Sequence, residues 1–271
     1  MKYLRTILPL VLSVSSLPSP AKASDAEDLR AVVKEGIGDF HARRLERLET
    51  LELAKVLARK NPYLLKAKGL DNAQAIVTEL LDDHLALQES TLFGAFLEKL
   101  AIHVCEKAFG GRKSGIEGID LEFENGGTKY IVSIKSGPNW GNSSSIAKME
   151  DHFRKAKKVL GSNAAAGAKV IAVNGCCYGR VATEDKGDHL KLCGQNFWAL
   201  ISGDDALYLK IIDLIGGELA KPSAVFAQGY ERTLARFATE FAADYCDAGG
   251  TIRWQHLLEM NSGAKPRVGS K

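Results

Sequence analysis

Paired cysteines, a large excess of one charge and long apolar runs are all missing from this chain, and each absence removes a class of protein. Five cysteines, Cys105, Cys176, Cys177, Cys193 and Cys246, form an odd set without Cys-x-x-Cys spacing. That pattern argues against a disulfide framework and a structural zinc site; they read as reduced and mostly buried. A net charge of +3 is too small to mark the whole chain as a nucleic-acid binder, so basic patches have to be sought locally. Past the N-terminus no stretch is long and apolar enough to span a bilayer. No internal repeat or low-complexity tract is visible. What remains is a globular composition over 271 residues, enough for one large domain or two smaller ones.

The N-terminus reads differently. Lys2 and Arg5 precede an apolar run over 7–17, and Ala21-Lys22-Ala23 offers a small-residue cleavage site. Residues 1–23 are therefore either a secretory leader or a start placed too far upstream. Removing them takes away Lys2, Arg5 and Lys22 and no acid, so the charge falls from +3 to 0. The unpaired cysteines favour a cytoplasmic location, with periplasmic or secreted as the alternative.

Leu, Ile and Val at helical spacing over 26–59, closed by Asn61-Pro62, predict an amphipathic helical lead-in. Asp71-Asn72 caps a further helix over 73–87, and Ser90 another over 91–109. Apolar residues run almost all the way round the latter, as in a buried helix, which leaves Glu98 in apolar company. A carboxylate there is either a site residue or the partner of a nearby cation. Gly110-Gly111 ends the helix.

Two alternating runs, 119–124 and 129–135, flank Asn125-Gly126-Gly127 and predict a β-hairpin. With Asp120 opposite Ser133, Ile119, Leu121 and Phe123 share a core face with Tyr130, Val132 and Ile134. Asp120, Glu122, Glu124, Lys129, Ser133 and Lys135 take the other. Ser136-Gly137-Pro138-Asn139-Trp140-Gly141-Asn142 then reads as a tight loop, with Ser143 to Ser145 as N-caps for the next helix. In that helix Ile146, Met149, Phe153 and Leu160 form one stripe. Glu150 falls about 40° from Ile146, on the edge facing the sheet, while Asp151 points away. Lys148, Arg154, Lys155, Lys157 and Lys158 make the helix locally basic. A β-branched run over 169–174 and the segment 190–201 predict further strands, and helices follow over 204–215 and 230–245, before a short tail segment over 254–260.

Asp120, Ser133-Ile134-Lys135 and a carboxylate from the following helix have a chemical use in common. Two acids hold a hard cation such as Mg²⁺ through oxygen, and a lysine beside it orients a water or offsets charge on a phosphate. A cross-strand ion pair is the bland alternative.

These residues also carry a resemblance. Gly-Ile-Asp-Leu-Glu-Phe followed by Ser-Ile-Lys-Ser-Gly-Pro-Asn-Trp-Gly-Asn-Ser resembles the PmeII-type type II restriction endonucleases of the PD-(D/E)xK nuclease superfamily. So do Asn-Pro-Tyr-Leu at 61–64, Thr-Leu-Phe-Gly at 91–94, Cys-Tyr-Gly at 177–179 and Gly-Gln-Asn-Phe-Trp at 194–198. The resemblance implies an α/β restriction-endonuclease-like core, a mixed central sheet flanked by helices, over 91–215. Helical additions would occupy 24–90 and 216–271. It implies Mg²⁺-dependent cleavage of double-stranded DNA at a short sequence, a homodimer, and a cognate DNA methyltransferase acting on the same sequence. The middle acid of the superfamily pattern is Ser133 here. NgoMIV-type enzymes are similar in this Ser-x-Lys form and take the missing acid from the next helix, which points to Glu150; Glu122 and Glu124 compete. The implied site is Asp120, Lys135, Glu150, Ser133 and, as supporting acid, Glu98, with Asp120, Glu150 and Glu98 on the metal. Asn139, Trp140, Asn142, Arg112, Lys113 and Lys148 are candidates for touching DNA, although Trp140 packing equally explains its loop. A relative that binds DNA without cutting it, or an exported nuclease of low sequence preference, are the other readings.

Overall fold

In the computed structural model the described residues are 23–163, 169–217 and 220–263, so residues 1–22 of the leader-like segment lie outside them. The described chain divides into two compact units: 23–37 with 93–217, and 38–92 with 220–263. The helices α1 (Ala23–Glu49), α2 (Leu53–Leu57), α3 (Pro62–Ala67) and α4 (Ala73–Phe109) come first. Asn61 does not end a long helix as expected but starts a short one: its side chain accepts from the backbone N–H of Tyr63 and Leu64, with Pro62 in the first turn. The break lies earlier, after Glu49. Asn72 caps α4 by accepting from Ala75 N at 2.9 Å. The two helices expected over 73–87 and 91–109 are one, because Ser90 and Thr91 turn their hydroxyls back onto the carbonyls of Ala86 and Leu87.

The first unit is built on a six-stranded sheet: β1 (Arg112–Lys113), β2 (Leu121–Asn125), β3 (Thr128–Lys135), β4 (Lys169–Cys176), β5 (Glu184–Asp185) and β6 (Leu190–Cys193), in spatial order β1-β2-β3-β4-β6-β5. β1, β2 and β3 are antiparallel, β3, β4 and β6 parallel. Leu121 pairs with Val132 and Phe123 with Tyr130, so the hairpin has the expected register. Gly126 and Gly127 form its two-residue turn, both at positive φ, 56° and 72°. Strand 190–201 is a correction: four residues are strand, and α6 (Gln195–Ser202) begins after Gly194. The segment after Gly111 also adds the short strand β1, since Arg112 and Lys113 find partners in Glu122 and Leu121.

Helices cover both faces, as expected for a restriction-endonuclease-like core. On one face Leu121, Phe123, Val132, Ile134, Val173 and Leu192 pack with Phe96, Leu100 and Val104 of α4, with α6, and with α7 (Leu207–Gly216). On the other, α5 (Ser143–Asn163) lays Met149, Phe153 and Ala156 over Ile119, Ile131 and Ala172. Ile119 thus joins the opposite core from Leu121, because regular pairing starts only at Leu121 and the chain turns at Gly118, φ 76°. The polar face of the hairpin is likewise half covered rather than open.

The second unit packs Leu48, Ile76, Leu80 and Leu81 against Phe237, Phe241 and Tyr245 of α8 (Ala220–Tyr245) and Leu257 of α9 (Trp254–Ser262). In it His41 is buried with no hydrogen bond to either ring nitrogen. Burial, then the Arg44 guanidinium, pull its pKa below the ordinary value, with Glu89 opposing.

Two outcomes follow. Gly126→Ala and Gly127→Ala should each lower stability by about 1 kcal/mol in denaturant titration, whereas Gly126→Asn, suited to this turn, should be close to neutral. A His41 pKa depressed on folding means that the unfolded chain takes up the proton first, so stability is complete above the unfolded value and lost as pH falls through it. His41→Leu should therefore lose less stability than wild type between about pH 7.5 and pH 5; equal losses would contradict the burial argument.

Candidate active site

The site starts where β2 stops. Beyond Leu121 no strand residue remains to receive the N–H of Ile134, and the Asp120 carboxylate takes it at 2.6 Å through Oδ2. The Ser133 hydroxyl donates to the same oxygen at 3.4 Å, a long contact. Asp120 is itself held by its backbone N–H on Val132 O at 2.9 Å. Oδ1 accepts no hydrogen bond among the described residues. Lys135 ends β3, half-buried, with its Nζ 5.0 Å from the centre of the Trp140 ring. Trp140 packs on the Ile131–Phe153 core beneath α5, which immobilises the loop. Asp120, Ser133 and Lys135 are thus brought to one end of β3.

The short motifs converge on that same end. Cys177 and Tyr178 donate their N–H groups to the carbonyls of Lys135 and Ser136 at 2.9 and 3.0 Å. A side chain on Gly137 would collide with the Tyr178 ring, and one on Gly94 of α4 with the Ser136 hydroxyl. Lys191 Nζ reaches Pro138 O at 3.2 Å, and Trp198 Nε1 donates to Cys177 O at 2.8 Å. The residues round Gly94, Gly137, Tyr178 and Trp198 therefore form one rim at the carboxyl ends of parallel strands, the usual place for a site in such sheets.

The acids distribute unevenly. Glu122 is buried and doubly paired, with Arg112 at 2.9 Å and Lys129 at 3.3 Å. Glu124 is exposed on β2. Glu98 meets Lys113 Nζ at 3.5 Å. It also lies close to the rim, since its charge adds to burial and to Cys176 in pushing the Cys177 thiol up. Arg112 and Lys113 thus both face carboxylates of the chain itself. Asn142 caps α5, accepting from Ser145 N at 3.0 Å, so the cap falls one residue before the serines expected to supply it. Asn139 and Lys148 are exposed, and Ile146, expected in the buried stripe, is 40% exposed. Asp151 pairs with Lys155 and Arg154, which lower its pKa.

Glu150 stands elsewhere. Its carboxylate lies within 4.8 Å of ligand atoms of Asp188 and His189, the latter just before β6. Among the described residues this is the group of three His, Cys, Asp or Glu side chains close enough to share a cation. Sequence reading passed over Asp188 and His189, because nothing local in Gly-Asp-His-Leu at 187–190 signals a neighbour on a helix nearly forty residues earlier. The packing of α5 across β4 brings them together.

Residues 27–223 match the family model of the type II restriction endonuclease EcoO109I, well over half of the chain. The chain belongs to that family, a family of nucleases that act on DNA. No curated protein matches it.

Trp198→Phe removes the buried donor to Cys177 O together with part of the buried indole. It should cost about 1–3 kcal/mol in denaturant unfolding; an unchanged midpoint would show that the rim does not depend on this bond.

Proposed function

We propose that this member of the EcoO109I family is a Mg²⁺-dependent endonuclease that hydrolyses double-stranded DNA at a short specific sequence. Catalysis is centred on Asp120 and Lys135 within a core over 91–215, flanked by helical regions over 24–90 and 216–271. The observation that carries this reading is the clamp on Asp120: Ser133 and Ile134 donate to Oδ2 while Oδ1 accepts no bond among the described residues, and Lys135 follows Ser133 by two residues on the same strand. An oriented carboxylate oxygen suits a hard cation. The chain fits Mg²⁺ in that respect, with Asp120 as first ligand, Glu150 as the acid replacing the one absent at Ser133, and Glu98 as support. Bound there, Mg²⁺ supplies Lewis-acid stabilisation of charge on a phosphate. Ser133 and Ile134 keep the Asp120 carboxylate oriented, and Lys135 offsets developing negative charge, positioned by Trp140.

DNA contacts fall to Asn139, Trp140, Asn142, Lys148, Arg112 and Lys113 in this reading, all exposed except the half-buried Trp140. The Ser-x-Lys arrangement and the rim motifs support the narrower resemblance to PmeII-type enzymes. A homodimer matches two-fold symmetric targets, and a cognate methyltransferase would protect the host sequence. Five free, buried cysteines support a cytoplasmic location, and no described helix is long and apolar enough to cross a membrane.

Plasmid DNA incubated with the protein and Mg²⁺ tests the reading: discrete fragments support it, a smear indicates low sequence preference, and binding without cutting indicates an inactive relative. Asp120→Asn and Lys135→Ala should each reduce cutting by roughly a hundredfold or more with unchanged melting behaviour. Glu150→Ala should do the same, with partial recovery in Ser133→Glu/Glu150→Ala. Near-normal cutting by Asp120→Asn or Lys135→Ala would overturn the assignment.

A further inference from the structure

Glu150 is a half-buried carboxylate without an ion pair or hydrogen bond among the described residues, although its helix carries Lys148, Arg154, Lys155, Lys157 and Lys158. Arg154 and Lys155 turn to Asp151, and Lys157 reaches the backbone carbonyl of Asp188. What Glu150 faces is a second carboxylate, Asp188, and the imidazole of His189. The His189 side chain is 3% exposed and makes a single hydrogen bond, Nδ1 to Asp188 Oδ1 at 2.7 Å; its Nε2 has no partner among the described residues. No Lys or Arg side chain pairs with either carboxylate among the described residues, so the two acids and the imidazole offer a donor set for a cation.

We propose that Glu150, Asp188 and His189 form a second divalent-cation site, separate from Asp120, that takes Mn²⁺, Co²⁺ or Zn²⁺ in preference to Mg²⁺. This goes beyond the nuclease reading and does not require it. The three ligand atoms lie within 4.8 Å of one another; donors on one tetrahedral ion stand roughly 3.4 Å apart, so side-chain rotations of about an ångström close the set. The site is distinct because Asp120 enters β2 and His189 enters β6, three strand spacings apart. At 4.7–4.9 Å per spacing that is about 14 Å between backbones, beyond the reach of one ion for both side chains. Imidazole nitrogen favours borderline transition ions, whereas Mg²⁺ favours oxygen throughout. Glu150 serves one ion at a time, so a cation held here competes with the Asp120 side for its carboxylate.

Cobalt titration of the full chain followed by visible absorption reads nitrogen ligation without reference to cutting. Wild type should develop ligand-field bands, and His189→Gln and Glu150→Gln should each weaken Co²⁺ binding roughly tenfold or more. Asp120→Asn should leave these bands within about twofold. Melting without metal checks that each variant folds; should His189→Gln not fold, the half-exposed Asp188→Asn carries the test. Absence of bands in wild type, bands indifferent to His189→Gln and Glu150→Gln, or equal loss in Asp120→Asn would overturn the second site. Failure of the nuclease reading shows up separately, as wild type that does not cut DNA with Mg²⁺.

Discussion

The N–H of Ile134 needs a partner that the sheet does not provide, and most of the site's geometry follows from how that need is met. β2 leaves the sheet at Leu121, so the next donor on β3 faces an open edge. A buried, unpaired N–H costs about 1–3 kcal/mol. Asp120, one residue before β2, fills the gap with its side chain, and its carboxylate is thereby fixed at the end of β3. The same register that pairs Leu121 with Val132 places Ser133 and Lys135 on the row beside it. Moving the hairpin by one residue would reverse its faces and dismantle both core and site together.

Around this point the chain spends small residues and backbone bonds rather than long side chains. Gly94 and Gly137 permit close approach, Tyr178 and Pro138 fill the space, and Trp198 closes the carbonyl of Cys177. Lys135 is held by its backbone, through Cys177 N, and by the face of Trp140. That leaves its ammonium without a carboxylate partner among the described residues, unlike Lys129 or Lys113. In the proposed function this cation meets the phosphate of the DNA.

The acids follow a related logic. Glu122 sits buried and is satisfied by two cations. Glu98 is partly satisfied by Lys113. Glu150 has no ion pair or hydrogen bond among the described residues and lies near Asp188 and His189. Uncompensated carboxylates are expensive to keep partly buried, which is why they deserve a functional explanation where paired ones do not.

Alternation of apolar and polar residues, with Gly126 and Gly127 at the turn, determined the hairpin and its register, because a strand's period and a two-residue turn are local properties. The β-branched run of β4 and the cap at Asn72 were legible for the same reason. Local signals misled where tertiary packing overruled them: Ser90 and Thr91 sit inside α4 because the helix continues on buried apolar contacts, and Ile119 changes core because the strand starts two residues later. Asp120, Ser133 and Lys135 were legible as one row since a hairpin brings them together by itself. The neighbours of Glu150 were not. Asp188 and His189 reach it only through the parallel crossover that lays α5 over β4 and orders β6 beside it, and such long-range placement has no local signature in the chain.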